Sequence, residues 1–539
     1  ASNVAVGEHA LGANTTANNN VAVGDGALLS NTTGGANVAI GANALDANTT
    51  AGSNTAVGFD SLSANTTGGQ NAALGTDALK ANTTGDYNVA IGAYALDANT
   101  TSNNNVAVGG LALTDNNGNS NVAVGYSALE KNTSANNNTA CGYKALEANT
   151  SGTQNTAVGS SAGNDNTTGY NNVFIGDSAG ASNTTGHHNT AVGRLAFNAN
   201  TTGDQNTAVG AEALQKTTGD SNTAVGYQAL EENTSGAQNI AIGPFALDSN
   251  TTANNNVAVG YLALQANSTG TQNIAVGSNA LDANTTPNNN IAIGHDSLTD
   301  NTTGAENVAI GSNSLANNTT ANSNTAVGFK SLEATTTGTE NVAIGARALD
   351  EVTTANYNTA VGYVALSASG NGSNNTAVGR AALNANTSAN NNTAVGYNAM
   401  LDNTTGDKNT AVGSLALDAN TTANNNTGIG YGALSDNTTG TENVAVGSGA
   451  LGVNTTANNN AAVGHNALAS CTTGAQNVAV GANALPASTT AGNNVAVGNE
   501  SLQNCTTGQY NTAVGSLCLR AQTTANGNTA VGYQALEET

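Results

Sequence analysis

A seventeen-residue unit governs this chain. NTAVGYQALEENTSGAQ at 222–238 is followed without a gap by NIAIGPFALDSNTTANN at 239–255, and the same pattern runs from end to end. The glycine closing each AVG or AIG box is the ruler. It recurs every seventeen residues from Gly7 to Gly109, from Gly125 to Gly210 and from Gly226 to Gly532, giving 32 copies. Only the intervals Gly109–Gly125 and Gly210–Gly226 are one residue short. A length of 539 residues would otherwise suggest several domains. An unbroken repeat overrides that expectation, because each copy rests only on its neighbours. The reading is one array over 1–539. It starts as ASNVAVG and stops as YQALEET, inside a repeat at both ends; the expectation is a piece of a longer array, uncapped at each end.

Within a copy, the stretch from Asn222 to Gly226 alternates with period two and reads as a short strand. A second apolar pair, Ala229-Leu230, follows, and then a polar segment, Asn233 to Gly236, whose residue types favour turns. Glycine breaks and β-branched residues exclude a helical period. Two short strands and two turns at constant length predict an all-β parallel β-solenoid. Stacked at about 4.8 Å per coil, 32 coils would give a rod of roughly 150 Å. Stacking places identical residues above one another. Asn222 and its equivalents Asn3, Asn20 and Asn37 are expected to form an amide ladder, and Val225 and Leu230 apolar columns. Ala224 points away from Val225 on the alternating strand. Its small side chain makes the Ala column the expected seam for a second chain. Apolar burial per copy falls short of the entropy cost of ordering seventeen residues, so a partner surface is expected.

A longer period is also visible. After about residue 236 the residue following Thr-Thr alternates between Gly (Gly270, Gly304, Gly338, Gly406) and Ala (Ala253, Ala321, Ala355, Ala423). Either each copy is a coil, the favoured reading, or one coil holds two copies.

The formal charge of −24 arises from 34 acidic and 10 basic residues spread thinly along the chain. It opposes nucleic-acid binding, which needs clustered Lys and Arg, and docking on anionic membranes. No apolar stretch is long enough to span a bilayer. Chemistry-bearing residues are few. Cys141 replaces a strand Val and is expected to be a buried small hydrophobe. Cys471 and Cys505 replace the Asn of NTT 34 residues apart; they would stack in a 34-residue coil, but lie too far apart for a disulfide in a 17-residue one. Cys518 occupies an Ala slot and is expected to be packed. His187-His188 sits in a turn without further metal ligands, and 114–121 (TDNNGNSN) lacks the spacing of a calcium loop. Acidic residues following Leu (Asp46, Glu231, Asp282) read as solubility charges. No catalytic residue, cofactor site or metal site is predicted. NTT and NTS are glycosylation sequons by pattern. Thr fills the first strand slot in only about half the copies, so no continuous Thr face matching ice exists.

The pattern N-[TV]-A-[VI]-G-x-x-A-L resembles the head repeats of YadA-like trimeric autotransporter adhesins and, more closely, NTAVGYxAL arrays in phage and bacterial tail-fibre-like proteins. The resemblance covers all copies. It implies a left-handed parallel β-roll, three chains side by side, and a location outside the cell, on its surface or on a virion. The copies here are seventeen residues long, longer than the family's, and neck, stalk, anchor and chaperone segments do not occur in this stretch. The expected function is a non-catalytic fibre shaft or adhesin stalk that spaces or presents binding ends, with itself as first partner and a host-surface or glycan receptor as a further one. A filament subunit growing end to end is the alternative, and an ice- or glycan-binding solenoid a weaker one.

Overall fold

The computed structural model describes residues 2–368 and 370–538, arranged in two compact units, Ala1–Thr271 and Gln272–Thr539. The first carries sixteen three-residue strands, β1 (Val4–Val6) to β16 (Val257–Val259), and the second sixteen more, β17 (Ile274–Val276) to β32 (Thr529–Val531). Among the described residues there is no helix. Within each unit successive strands pair in parallel: Thr223 lies beside Ile240, Ala224 beside Ala241 and Val225 beside Ile242. Each copy is therefore one coil of a parallel β-solenoid, and the 34-residue coil is excluded.

A coil contains one strand, not the two expected. Ala229 and Leu230 lie in a turn that alternates backbone hand, with Gln228 at φ 54° and Leu230 at φ 56°. That alternation still bonds coil to coil, as Leu230 N–H donates to Ala246 O at 3.0 Å. A left-handed Leu costs about 1–2 kcal/mol. Complete burial of its side chain, at about 1.5–3 kcal/mol, offsets this.

The strand faces the opposite way from the expectation. Ala224, Ala229 and Leu230 are fully buried, whereas Val225 is only half-buried and points outward with Thr223. The cause is the narrow bore of the coil. At Gly428, which replaces the strand Ala, an added Cβ would lie 3.0 Å from Ala433 O and 3.3 Å from Leu417 Cγ. A methyl fills that space and a Val does not fit, so the β-branched residues are placed outside. The closing glycine is equally constrained. Gly226 has φ 139°, and a Cβ there would sit 2.6 Å from the carbonyl of Gly243 in the next coil.

Asparagine supplies the rest of the interior. Asn222 Oδ1 accepts the backbone N–H of Asn239 at 3.1 Å, and its Nδ2 crosses the coil to donate to Gly236 O at 2.9 Å. Asn233 forms a second column. Its Nδ2 donates to the same Gly236 carbonyl at 2.9 Å, and its Oδ1 accepts from Asn250 Nδ2 at 2.8 Å. The side-chain amide ladder thus runs most fully through the Asn assigned to the turn. Asn222 ties side chain to backbone and also forms the expected ladder, its Oδ1 accepting from Asn239 Nδ2 and its Nδ2 donating to Asn206 Oδ1, each at 3.2 Å. Both are fully buried, and each bond contributes about 0.5–1.5 kcal/mol net. Outside them, Thr234 Oγ1 donates to Thr251 O at 2.9 Å.

The two short copies lose their residue in the turn. Asn105 Nδ2 reaches Gly118 O thirteen residues on, rather than fourteen, and Asn206 Nδ2 reaches Gly219 O likewise. Strand register is untouched: Val106 pairs with Val122 and Thr207 with Thr223. A deletion inside a strand would have reversed its faces; a deletion in the turn only tightens it.

Candidate functional site

Two columns of side chains stand on the outer surface of the coils. The first is the outward strand face. Its third slot is Val or Ile in almost every coil, and Ile293, Ile310, Ile344 and Ile429 are exposed along the second unit. Cys141 occupies this slot and is exposed, which corrects the expectation of a buried thiol; it followed the Val column outward. The Ala column, including Ala224, is sealed inside and is not available as a seam.

The second column stands at the corner, one residue after the closing glycine. In the second unit it holds Phe329, Tyr363, Tyr397 and Tyr431, each 34 residues from the last and between 47% and 63% exposed. His295 precedes this series and His465 follows it at the same interval, both exposed. The coils between carry Ser312, Ala346, Arg380 and Ser414 in the same slot. From Phe329 to Tyr431 the ring-bearing coils carry Gly in the slot after the Thr pair or its equivalent (Gly338, Gly372, Gly406, Gly440), and the ring-free coils between them carry Ala (Ala355, Ala389, Ala423). The 34-residue alternation thus has no counterpart in the coil backbone, but does in this column. It was visible in the sequence as a second residue type sharing the Gly/Ala period. In the first unit the slot is irregular, and Tyr126 and Tyr143 stack in adjacent coils at 6.0 Å.

Among the described residues, the remaining candidate groups are spread along the coils. The acidic column after Leu is half-buried. Burial raises the carboxyls of Asp46, Glu231 and Asp282, with neighbouring carboxylates adding to it. Asp350 is pushed up to about 6, again mainly by burial. His187 Nδ1 lies 2.8 Å from Asp204 Oδ1, and its ring stacks on Tyr170 at 4.6 Å. Among the described residues, no three His, Cys, Asp or Glu are grouped to hold a metal, and no helix is long and apolar enough to cross a membrane. Cys471, Cys505 and Cys518 are buried and free. Burial pushes the Cys471 thiol up to about 11 and raises those of Cys505 and Cys518. An open groove lined by Ala305, Glu306, Asn322, Ser323, Thr339 and Glu340 is a surface furrow, within which Ser323 Oγ donates to Glu306 Oε2 at 3.3 Å. The sequon asparagine Asn233 is buried with Nδ2 engaged, so a glycan on that nitrogen is incompatible with the folded coil.

Among the residues singled out in the sequence, Asn222, Ala224, Ala229, Leu230, Asn233 and Gly236 converge on one coil interior, while Gly226 forms the close contact between coils. Val225 leaves that set and joins the surface. No family model matches the chain, and no curated protein matches it.

Proposed function

We propose that the chain is a non-catalytic structural fibre element, working outside the cell, on its surface or on a virion as a shaft that spaces or presents binding ends. Copies associate side by side, with three left-handed rolls packed together, as the resemblance to trimeric adhesin and tail-fibre repeats implies. The observation that carries this reading is the outward Val/Ile column. In the second unit all sixteen coils carry Val or Ile in the third strand slot, so these side chains line up as one continuous apolar strip, and a contiguous exposed apolar strip marks an interaction site. That surface repeats every coil in strict register. A partner matching it along its whole length needs the same repeat, and a second copy of this chain has it. The seam therefore runs through Val225 and its equivalents, with Ala224 filling the bore.

Cys141 reports on the seam directly. It lies in the outward column, whereas the other three cysteines are buried. Alkylation of the native chain at increasing concentration should show Cys141 becoming protected as chains associate and reactive on dilution. A Cys141 thiol equally reactive at every concentration would remove this face as the seam.

A further inference from the structure

We propose that the ring column of the second unit is a binding track for an extended β-1,4-linked polysaccharide. This goes beyond the shaft reading and is independent of it. Phe329, Tyr363, Tyr397 and Tyr431 recur every second coil, a spacing of about 9.6 Å at the separation of neighbouring strands. Apolar side chains on a soluble surface are ordinarily scattered. Here one Phe and three Tyr hold a fixed period over seven coils, and Ala346, Arg380 and Ser414 hold the positions between them.

The period selects the occupant. In a β-1,4-linked chain of equatorial sugars each residue is turned over relative to the last. Every second sugar therefore presents the same C–H face, and the repeat is one disaccharide, close to the two-coil spacing. The face of an aromatic ring is electron-rich and accepts such C–H groups. Ser414 places a hydroxyl between Tyr397 and Tyr431, where a sugar edge carries its own. Such a chain is straight and, when neutral, is indifferent to the −24 charge that opposes nucleic acid. Proline-rich peptides also repeat at about 9.3 Å per turn, but their recognition uses an aromatic-walled groove, and these rings stand on an open corner. Arg380 keeps its guanidinium over one face of the Tyr397 ring, 5.5 Å from the centroid, so a sugar would take the other face of that ring.

The intact chain is mixed with microcrystalline cellulose, chitin and granular starch, and the bound fraction measured, with cellohexaose and a proline-rich peptide as soluble competitors. Retention on cellulose or chitin, not on starch, and release by cellohexaose are expected. Phe329→Ser with Tyr363→Ser, Tyr397→Ser and Tyr431→Ser introduces a residue this slot already carries at Ser414. It should weaken retention at least tenfold while leaving the oligomer mass unchanged. A second variant, Ala346→Tyr, Tyr363→Ser, Ser414→Tyr and Tyr431→Ser, keeps four rings and destroys their period; it should also lose retention. Absence of retention, equal binding by the period-shifted variant, release by the proline-rich peptide alone, or an oligomer mass that falls with the rings would each overturn the proposal.

Discussion

The ring of Phe174 fills the space that two missing leucines leave at Gly163 and Gly180. Phe174 stands in the strand slot that is otherwise Ala, and the two glycines stand in the Leu slot with the left-handed backbone of that position, φ 58° and 59°. A Cβ on Gly180 would lie 2.3 Å from Phe174 Cδ1, and one on Gly163 2.6 Å from Cδ2. Large and small have been exchanged across the bore, so the interior behaves as one packed column whose volume is shared between neighbouring coils.

Phe174→Ala should therefore be costly alone and harmless in company. The single change leaves a cavity, at about 3–5 kcal/mol for a buried Phe. Combined with Gly163→Leu and Gly180→Leu, it restores the pattern of other coils and should recover most of that loss. Amide hydrogen exchange over residues 156–189 of the intact chain measures both, and additive effects would contradict the shared-volume account.

The second amide column makes a repairable fault. Asn454 Nδ2 donates to Asn437 Oδ1 at 2.7 Å, but Asn454 Oδ1 has no partner, because the next position is Cys471. Cys471→Asn should supply the missing donor and stabilise that coil by about 1 kcal/mol, whereas Cys471→Ala should not. Local exchange protection at 454–477 separates the two.

Two glycines should respond oppositely to alanine. Gly413 has φ 140°, and its Cβ would lie 2.4 Å from Gly430 O, while Gly432 has φ 59° with nothing within 4 Å. Gly413→Ala should force neighbouring coils apart and lower the thermal midpoint sharply. Gly432→Ala adopts a backbone that Gln228 and its equivalents already tolerate, and should cost about 1–2 kcal/mol at most. Equal losses would remove the close-approach explanation.

Stability should rise as pH falls from neutrality at the acidic column. Asp350 has its pKa raised to about 6 by burial, above an unfolded value of about 3.9. The folded chain thus holds the proton more tightly. This contribution is complete below about pH 3.9 and is lost as pH rises through 6. Asp350→Asn should raise the melting temperature at pH 7 and leave it unchanged at pH 4. A pH-independent difference would contradict the burial effect.

Much of this architecture was legible in the repeat. The coil length, the strand around Ala224 and the turn at Asn233–Gly236 all follow from spacing and residue type. The inside-out assignment of Val225 and Ala224 was not legible. Period-two alternation separates two faces, and the habit of placing the larger residue inside chose the wrong one; the bore that excludes Val becomes visible only when Leu230 arrives from across the coil. The second ladder was hidden because Asn followed by Thr and Gly is also what a solvated turn uses. The left-handed Leu230 contradicts local preference outright, and only its burial explains it.

Sedimentation equilibrium of the intact chain tests the central claim, that the outward Val/Ile column joins copies side by side. The account predicts a discrete mass three times that of the chain, falling to a single chain when Val395→Lys, Val412→Lys and Val446→Lys place charges on that face. A single-chain mass at all concentrations, or open-ended growth that the three lysines leave untouched, would contradict it.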